Sequence, residues 1–216
     1  WLRAFATLLV FATVAVAANS TPPTEQTRRW KIGVGGVLCN GYWGMLGKAG
    51  MPRQRLMWTK MDELSHLSQY DVIFINWPSS NHSRVSTAVQ QFVQNGGIAI
   101  TSLSIWPTRQ ALPGNRIGAK RGPNMRFVNS PCPASDGLPA MGLLRTTRRQ
   151  ATSIIPEPGR RDVYVLARFT DEKAHKTTRG IFRDGNKGAP AVILFKHGKG
   201  WWMWIGSRVG YWMLRN

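Results

Sequence analysis

Residues 70 to 103 constrain the fold most. "YDVIFINW" (residues 70–77) is a continuous apolar run of strand length, the pattern of a strand buried on both faces of a parallel sheet. Beyond it, Val85, Ala88, Val89, Phe92 and Val93 recur at i, i+3, i+4, i+7 and i+8, the apolar stripe of one helix. Ser83 is placed to cap that helix. Asn95, Gly96 and Gly97 are placed to end it, glycine supplying the left-handed backbone. "IAITSL" (residues 98–103) is the next strand. Strand, helix and strand in this order form a crossover unit, which predicts two parallel strands and a right-handed connection.

The rest of the chain extends this unit. "WKIGVGGVL" (residues 30–38) reads as the first strand, with a short helix around residues 43–49, a second strand at "LMWT" (residues 56–59) and a helical or turn segment at residues 60–69. Residues 106–129, with glycines at 114, 118 and 122 between Arg116, Lys120 and Arg121, read as a long loop. "RDVYVLARF" (residues 161–169) and "RGIFR" (residues 179–183) read as strands. "PAVILFKHGKGWWMWIGS" (residues 190–207) reads as a hairpin turning at His197, Gly198, Lys199 and Gly200. Strands alternating with helices, then a late hairpin, predict a doubly wound, mostly parallel α/β sheet with a C-terminal antiparallel hairpin. No internal repeat or heptad pattern competes with this, and 216 residues suit one sizeable core.

Residues 1–18, "WLRAFATLLVFATVAVAA", carry one early cation, Arg3, and then an apolar run ending in small residues. This is the pattern of a secretory signal peptide, with an uncleaved membrane anchor as the alternative. The run is shorter than the roughly 20 residues of a spanning helix. Residues 19–29 read as a polar linker and residues 30–216 as the folded domain, so a secreted or periplasmic location is expected. The net charge of +19, from 29 basic and 10 acidic residues, favours anionic partners. The cations are dispersed, so a generally basic exported protein fits better than a dedicated nucleic-acid binder.

The order of "YDVIFINW", a helix ending in "FVQNGG", "IAIT" and "APAVILFKHGKGWWMWIGS" resembles the class I glutamine amidotransferase-like superfamily, and within it the trehalose-utilisation (ThuA)-like branch. A similar domain occurs in some β-galactosidases. "NSPCPASDGLP" (residues 129–139) resembles a family segment in which His-Pro precedes Gly-Leu, with Cys132 standing at the His position. The resemblance covers residues 31–207 and implies a flavodoxin-like fold. It implies less about activity. Amidotransferases carry a Gly-x-Cys-x-Gly elbow and a late His-x-Glu pair, whereas this chain reads "TSLSIW" and "WIGSRVGYW" at those places. Glutaminase activity is therefore not expected, and Ser102 and Ser104 fit a strand end better than a nucleophile.

Candidate site residues follow from where strands end, because α/β sheets bind ligands outside their carboxyl edge. Loops after residues 38, 76 and 103 are expected to meet there. As ligand-binding residues they offer Asn40, Tyr42, Trp43, Trp77, Ser79, Asn81 and Trp106, with Arg116 on a loop placed to close as a lid. His82 and Ser104 are the catalytic candidates. Aromatic walls, hydrogen-bonding groups and a positive rim suit a polar or sugar-like small molecule. A hydrolase with a non-standard site and a basic module for an anionic polymer are the alternatives. "GVGGVLCNG" fails the dinucleotide fingerprint because Leu38 fills the last glycine position, so no cofactor is expected. Cys39 and Cys132 lie in no zinc-type spacing, so no metal is expected. Two free buried thiols and one disulfide both fit the pair.

Overall fold

The computed structural model describes residues 30–37, 39–76, 81–102, 105, 107, 111–119, 124–128, 143–144, 151–170 and 188–206. Residues 1–29, and with them the signal peptide and linker, lie outside that set, as does the expected strand at residues 179–183. Among the described residues no helix is long and apolar enough to cross a membrane.

The first half is an alternating α/β unit: β1 (Ile32–Gly35), α1 (Asn40–Lys48), β2 (Gln54–Arg55), a 3-10 turn (Trp58–Lys60), α2 (Leu64–Leu67), β3 (Val72–Ile75), α3 (His82–Gln94) and β4 (Ile98–Ser102). Then come β5 (Gly114–Ala119), β6 (Asn124–Phe127), β7 (Leu143–Leu144), β8 (Ala151–Pro156), β9 (Val163–Thr170), β10 (Pro190–His197) and β11 (Gly200–Ile205). Nine strands form one sheet in the order β2-β1-β3-β4-β11-β10-β9-β6-β7, and β5 pairs with β8 in a second. The pairings from β2 through to β11 are parallel, and those from β11 through to β7 are antiparallel. The parallel half, β2-β1-β3-β4-β11, has the flavodoxin-like order, and its strand order reverses between β1 and β3.

Two helices cover opposite faces. Ile32, Val34, Val72, Phe74, Ile98, Ile100, Met203 and Ile205 point to the face that α1 covers with Tyr42, Met45 and Leu46. Ile73, Ile75, Ala99, Trp202 and Trp204 point to the other, which α3 covers with the stripe predicted for it. This alternation follows from the two-residue period of a strand. On β1 the second face is all glycine. A Cβ at Gly33 would stand 2.7 Å from Leu56, and one at Gly35 2.8 Å from Leu56 and 2.9 Å from Met61, so the missing side chains let those residues pack on the strand.

Three expectations are corrected. The second strand is Gln54–Arg55 rather than residues 56–59. Leu56 still donates its N–H to Val34 at 3.0 Å, but Met57 and Trp58 are exposed, 57% and 45%, and the chain turns away. The cap of α3 is Asn81, whose side chain accepts from the Arg84 N–H at 3.3 Å, while Ser83 donates to Asn81 at 2.8 Å. Residues 106–129 are not one loop, because they contain β5 and β6. Glycine is the reason β5 was hidden: a Cβ at Gly114 would overlap the Ile155 carbonyl oxygen on β8, so close pairing there needs a residue that reads as a loop former. The expected C-terminal antiparallel hairpin is present as β10 and β11, and it lies inside the sheet. β11 lies between β4 and β10 and pairs parallel with β4, Trp202 opposite Ala99 and Trp204 opposite Thr101. A strand apolar on both faces belongs in the interior of a sheet.

Candidate functional site at the carboxyl edge

The carboxyl ends of β1, β3 and β4 are tied together by polar groups. Asn76, just beyond β3, donates its N–H to the Gly35 carbonyl at 3.1 Å. Ser102, the last residue of β4, donates its hydroxyl to the Asn76 side-chain oxygen in a very short hydrogen bond. Both side chains are buried, 1% and 0% exposed, and the bond pairs the hydroxyl donor with the amide oxygen. Gly36 lies so close that a Cβ there would overlap the Asn76 carbonyl. One residue further over, Trp202 donates its indole N–H to the Thr101 hydroxyl at 2.8 Å, and Thr101 donates to the Ile105 carbonyl at 3.3 Å. Ser102 is thus a structural donor in a buried network, not an exposed nucleophile.

Both α1 and α3 start from this edge, because each follows a strand of the parallel pair β1 and β3. On the α1 side, Cys39 is the N-cap residue and Asn40 opens the helix. Arg55, at the end of β2, donates to the Cys39 sulfur at 3.2 Å and, through both terminal nitrogens, to the Asn40 side-chain oxygen at 3.3 Å. Trp43, one turn on and half-buried, carries the guanidinium of Arg55 at 4.4 Å and that of Arg53 at 4.5 Å from its ring centroid. Cys39 is buried with a free thiol. Burial pushes its pKa up, opposed by the charge of Arg55, so the thiol stays protonated near neutrality and is no activated nucleophile. On the α3 side, Asn81 caps the helix and His82 is its exposed first residue.

Of the sequence candidates, Asn40, Trp43, Asn81 and His82 therefore share one end of the sheet. Tyr42 does not: it is fully buried in the core, 5.4 Å from Phe74 ring to ring, with no hydrogen-bond partner for its hydroxyl among the described residues. Burial alone raises its pKa well above the phenol range. Arg116 sits in β5, paired opposite Ile154, rather than in a free lid, and its side chain lies outside the described set. The second sheet does stand at the same end, since β8 bonds the carboxyl terminus of β11 through the Thr152 N–H to Gly206 at 2.8 Å. Trp77, Ser79, Ser104, Trp106 and Cys132 lie outside the described residues.

Sequence reasoning missed Arg53 and Arg55. The signal is an Arg-x-Arg entering a strand, which puts both side chains on one face, but two cations within a dispersed positive charge do not stand out. A groove of ≈ 600 Å³ lies beside α3, lined by Thr59, Asp62, Glu63, Ser83, Arg84 and Gln91, and contains none of the candidates. Among the described residues no group of three or more His, Cys, Asp or Glu is placed to hold a metal ion.

Parallel strands ordered 2-1-3-4, helices on both faces and polar groups gathered at the switch point define a flavodoxin-like α/β protein. The chain is similar in fold to a protein from Bacteroides uniformis described as thua-like, with a TM-score of 0.57, 14% identity, 91% of this chain covered and 89% of that one. It is also similar to a β-galactosidase from G. stearothermophilus (TM-score 0.52, 12% identity, 90% of this chain, 26% of that one). An exo-β-1,4-mannosidase from Opitutaceae bacterium strain TAV5 matches with a TM-score of 0.51 and 12% identity over 79% of this chain and 26% of that one. The chain thus spans about a quarter of each glycosidase. The flavodoxin-like fold expected from the resemblance is the fold found, and the thua-like protein shares it. No family model and no curated protein matches the sequence.

Proposed function

We propose that this chain is a ligand-binding domain that takes a polar, sugar-like small molecule at the carboxyl edge of its sheet and does not hydrolyse glutamine. The observation that carries this reading is the convergence of β1, β3 and β4 on the Gly36, Asn76 and Ser102 network, which brings the starts of α1 and α3 to one end. Amide side chains at Asn40 and Asn81, the imidazole of His82 and the indole of Trp43 are groups that bind hydroxyl-rich rings. Two proteins of like fold are glycosidases by name, which puts neutral sugars among the first ligands to try. Export, proposed from residues 1–18, gives such a domain access to sugars outside the cytoplasm.

The test is a thermal-shift screen of the purified chain over mono- and disaccharides, sugar acids and sugar phosphates. Any hit is titrated by calorimetry against Asn40→Ala, Trp43→Ala and His82→Ala. Support is a saturable ligand whose affinity falls about tenfold or more in at least one variant. Affinity unchanged in all three, or no hit across the screen, sinks the reading.

A further inference from the structure

We propose that Arg53 and Arg55, held together on the Trp43 indole, form a binding site for a phosphate group, so that the ligand of the carboxyl edge is a phosphorylated small molecule. This rests on the function proposed above and names the substrate class of that site. Both guanidiniums lie over one ring, at 4.5 and 4.4 Å from its centroid, so neither is further from the other than two such lengths. The sequence has no Asp or Glu between Glu25 and Asp62, a stretch that contains β1, α1 and β2 entire. Among the described residues neither arginine has a carboxylate partner. Two guanidiniums resting on one indole, with no carboxylate partner among the described residues, favour a ligand carrying two negative charges, as a phosphate monoester does near neutral pH.

The arginines are also positioned before any ligand arrives. Arg53 donates to the Met51 carbonyl at 3.4 Å, and the absence of a side chain at Gly47 makes room for its guanidinium, which a Cβ there would overlap. Its Nε is buried, so the terminal nitrogens are the donors it can offer to a ligand. Arg55 is fixed by Cys39 and Asn40, which use part of its five-donor fork and leave the rest. The neighbouring end of α1 has no acidic residue in its first turn and no side-chain cap, so the local field has one sign. A guanidinium fork matches phosphate oxygens two at a time, and a lysine at the same place does not.

Calorimetry of the full chain with inorganic phosphate, glucose 6-phosphate and glucose tests this. The expected result is saturable binding of both phosphates, with glucose weaker than its phosphate by about tenfold or more. Arg53→Ala and Arg55→Ala each lower phosphate affinity by about tenfold, and Arg55→Lys, which keeps the charge and the fold, lowers it nearly as far. Lys199→Ala, in the β10–β11 turn at the opposite end of the sheet, leaves it unchanged. Equal affinity for the two phosphates makes free phosphate the ligand, and tighter binding of the sugar ester makes it the ester; both support the site. Three results overturn it: no binding of inorganic phosphate, binding unaffected in both alanine variants, or binding of a single-stranded oligonucleotide with no response to either small phosphate. Glucose bound as tightly as its phosphate, and indifferent to Arg55→Ala, overturns this inference while leaving the sugar-binding reading intact.

Discussion

Gly36→Ala should be among the most damaging single-methyl changes in this protein, and Gly96→Ala supplies its control. Both glycines have positive φ, 101° at Gly36 and 110° at Gly96, where an L side chain is strained. That strain costs roughly 1–2 kcal/mol at either site, offset by about 0.4–1 kcal/mol from the stiffer unfolded chain. The surroundings differ. At Gly96 the nearest atom to a new methyl is Lys199 Cβ at 3.8 Å, ordinary contact distance. At Gly36 the methyl would overlap the Asn76 carbonyl, a backbone group that cannot rotate aside because the Asn76 N–H is held by Gly35 and its side chain by Ser102. Separating the ends of β1 and β3 adds about 1–3 kcal/mol of overpacking. Gly36→Ala should therefore exceed Gly96→Ala by about 2 kcal/mol. With a urea m-value of about 2 kcal/mol/M, that is a difference of about 1 M in unfolding midpoints. Equal midpoints for the two variants would refute the close approach at the switch point, and with it the basis of the proposed ligand edge.

Thr101→Val removes the acceptor of the buried Trp202 N–H and should cost about 1–3 kcal/mol in urea unfolding, against about 1 kcal/mol or less for an exposed Thr87→Val. Arg160→Ala should raise two titration midpoints read by NMR. Asp162 is held below the usual carboxylate value by its hydrogen bond from Arg160, and His197 is lowered by burial and, less, by the Arg160 charge. Because the Asp162 pKa is depressed on folding, its contribution is present above the unfolded value of about 3.9 and is lost as pH falls through the folded one. At 40% exposure that contribution is small, so a steep acid transition traced to this pair would contradict the geometry. Cys39 should react with a thiol reagent at pH 8 at least about a hundredfold more slowly in the native chain than in urea, measured in a Cys132→Ser background. The chain should release no ammonia from glutamine; hydrolysis that disappears in Cys39→Ser would overturn both statements.

The parts legible in the sequence are those where one period dominates. The stripe on α3 has one placement, since turning the helix would expose the buried set, and the unbroken apolar run of β3 fits only an interior strand buried on both faces. The carboxyl edge was legible for the same reason: once β1 and β3 are parallel neighbours, Asn40, Trp43, Asn81 and His82 must share an end. What was hidden depends on contacts between distant segments. β5 is defined by β8, whose carbonyl comes too close for any Cβ at Gly114, and no local pattern reports a partner that far along the chain. Tyr42 follows Asn40 by two positions and has the composition of a site residue. The helix phase turns it into the core, and a hydroxyl without a partner among the described residues is the cost of a tyrosine where packing against Phe74 decides the position.

The placement of β11 bears on how the site is held. It is the last strand of the parallel half and, paired to β10, the first of the antiparallel half, so a single strand joins the two. Its tryptophans act in both directions: Trp202 stacks on Phe195 of β10, ring centroids 5.9 Å apart, and donates across the other side to Thr101 of β4. Thr101 precedes Ser102, which holds Asn76, which meets Gly36. A chain of buried contacts thus runs from the antiparallel half to the switch point without passing through solvent. Loosening at Trp202 reaches the proposed ligand edge through three successive hydrogen-bonded or packed neighbours, whereas loosening at the exposed β2 edge reaches Arg55 and Trp43 directly. The core-side support of the proposed site is therefore shared with the whole sheet, and its basic side is held by local contacts to α1, the division expected where a fixed scaffold presents a binding surface.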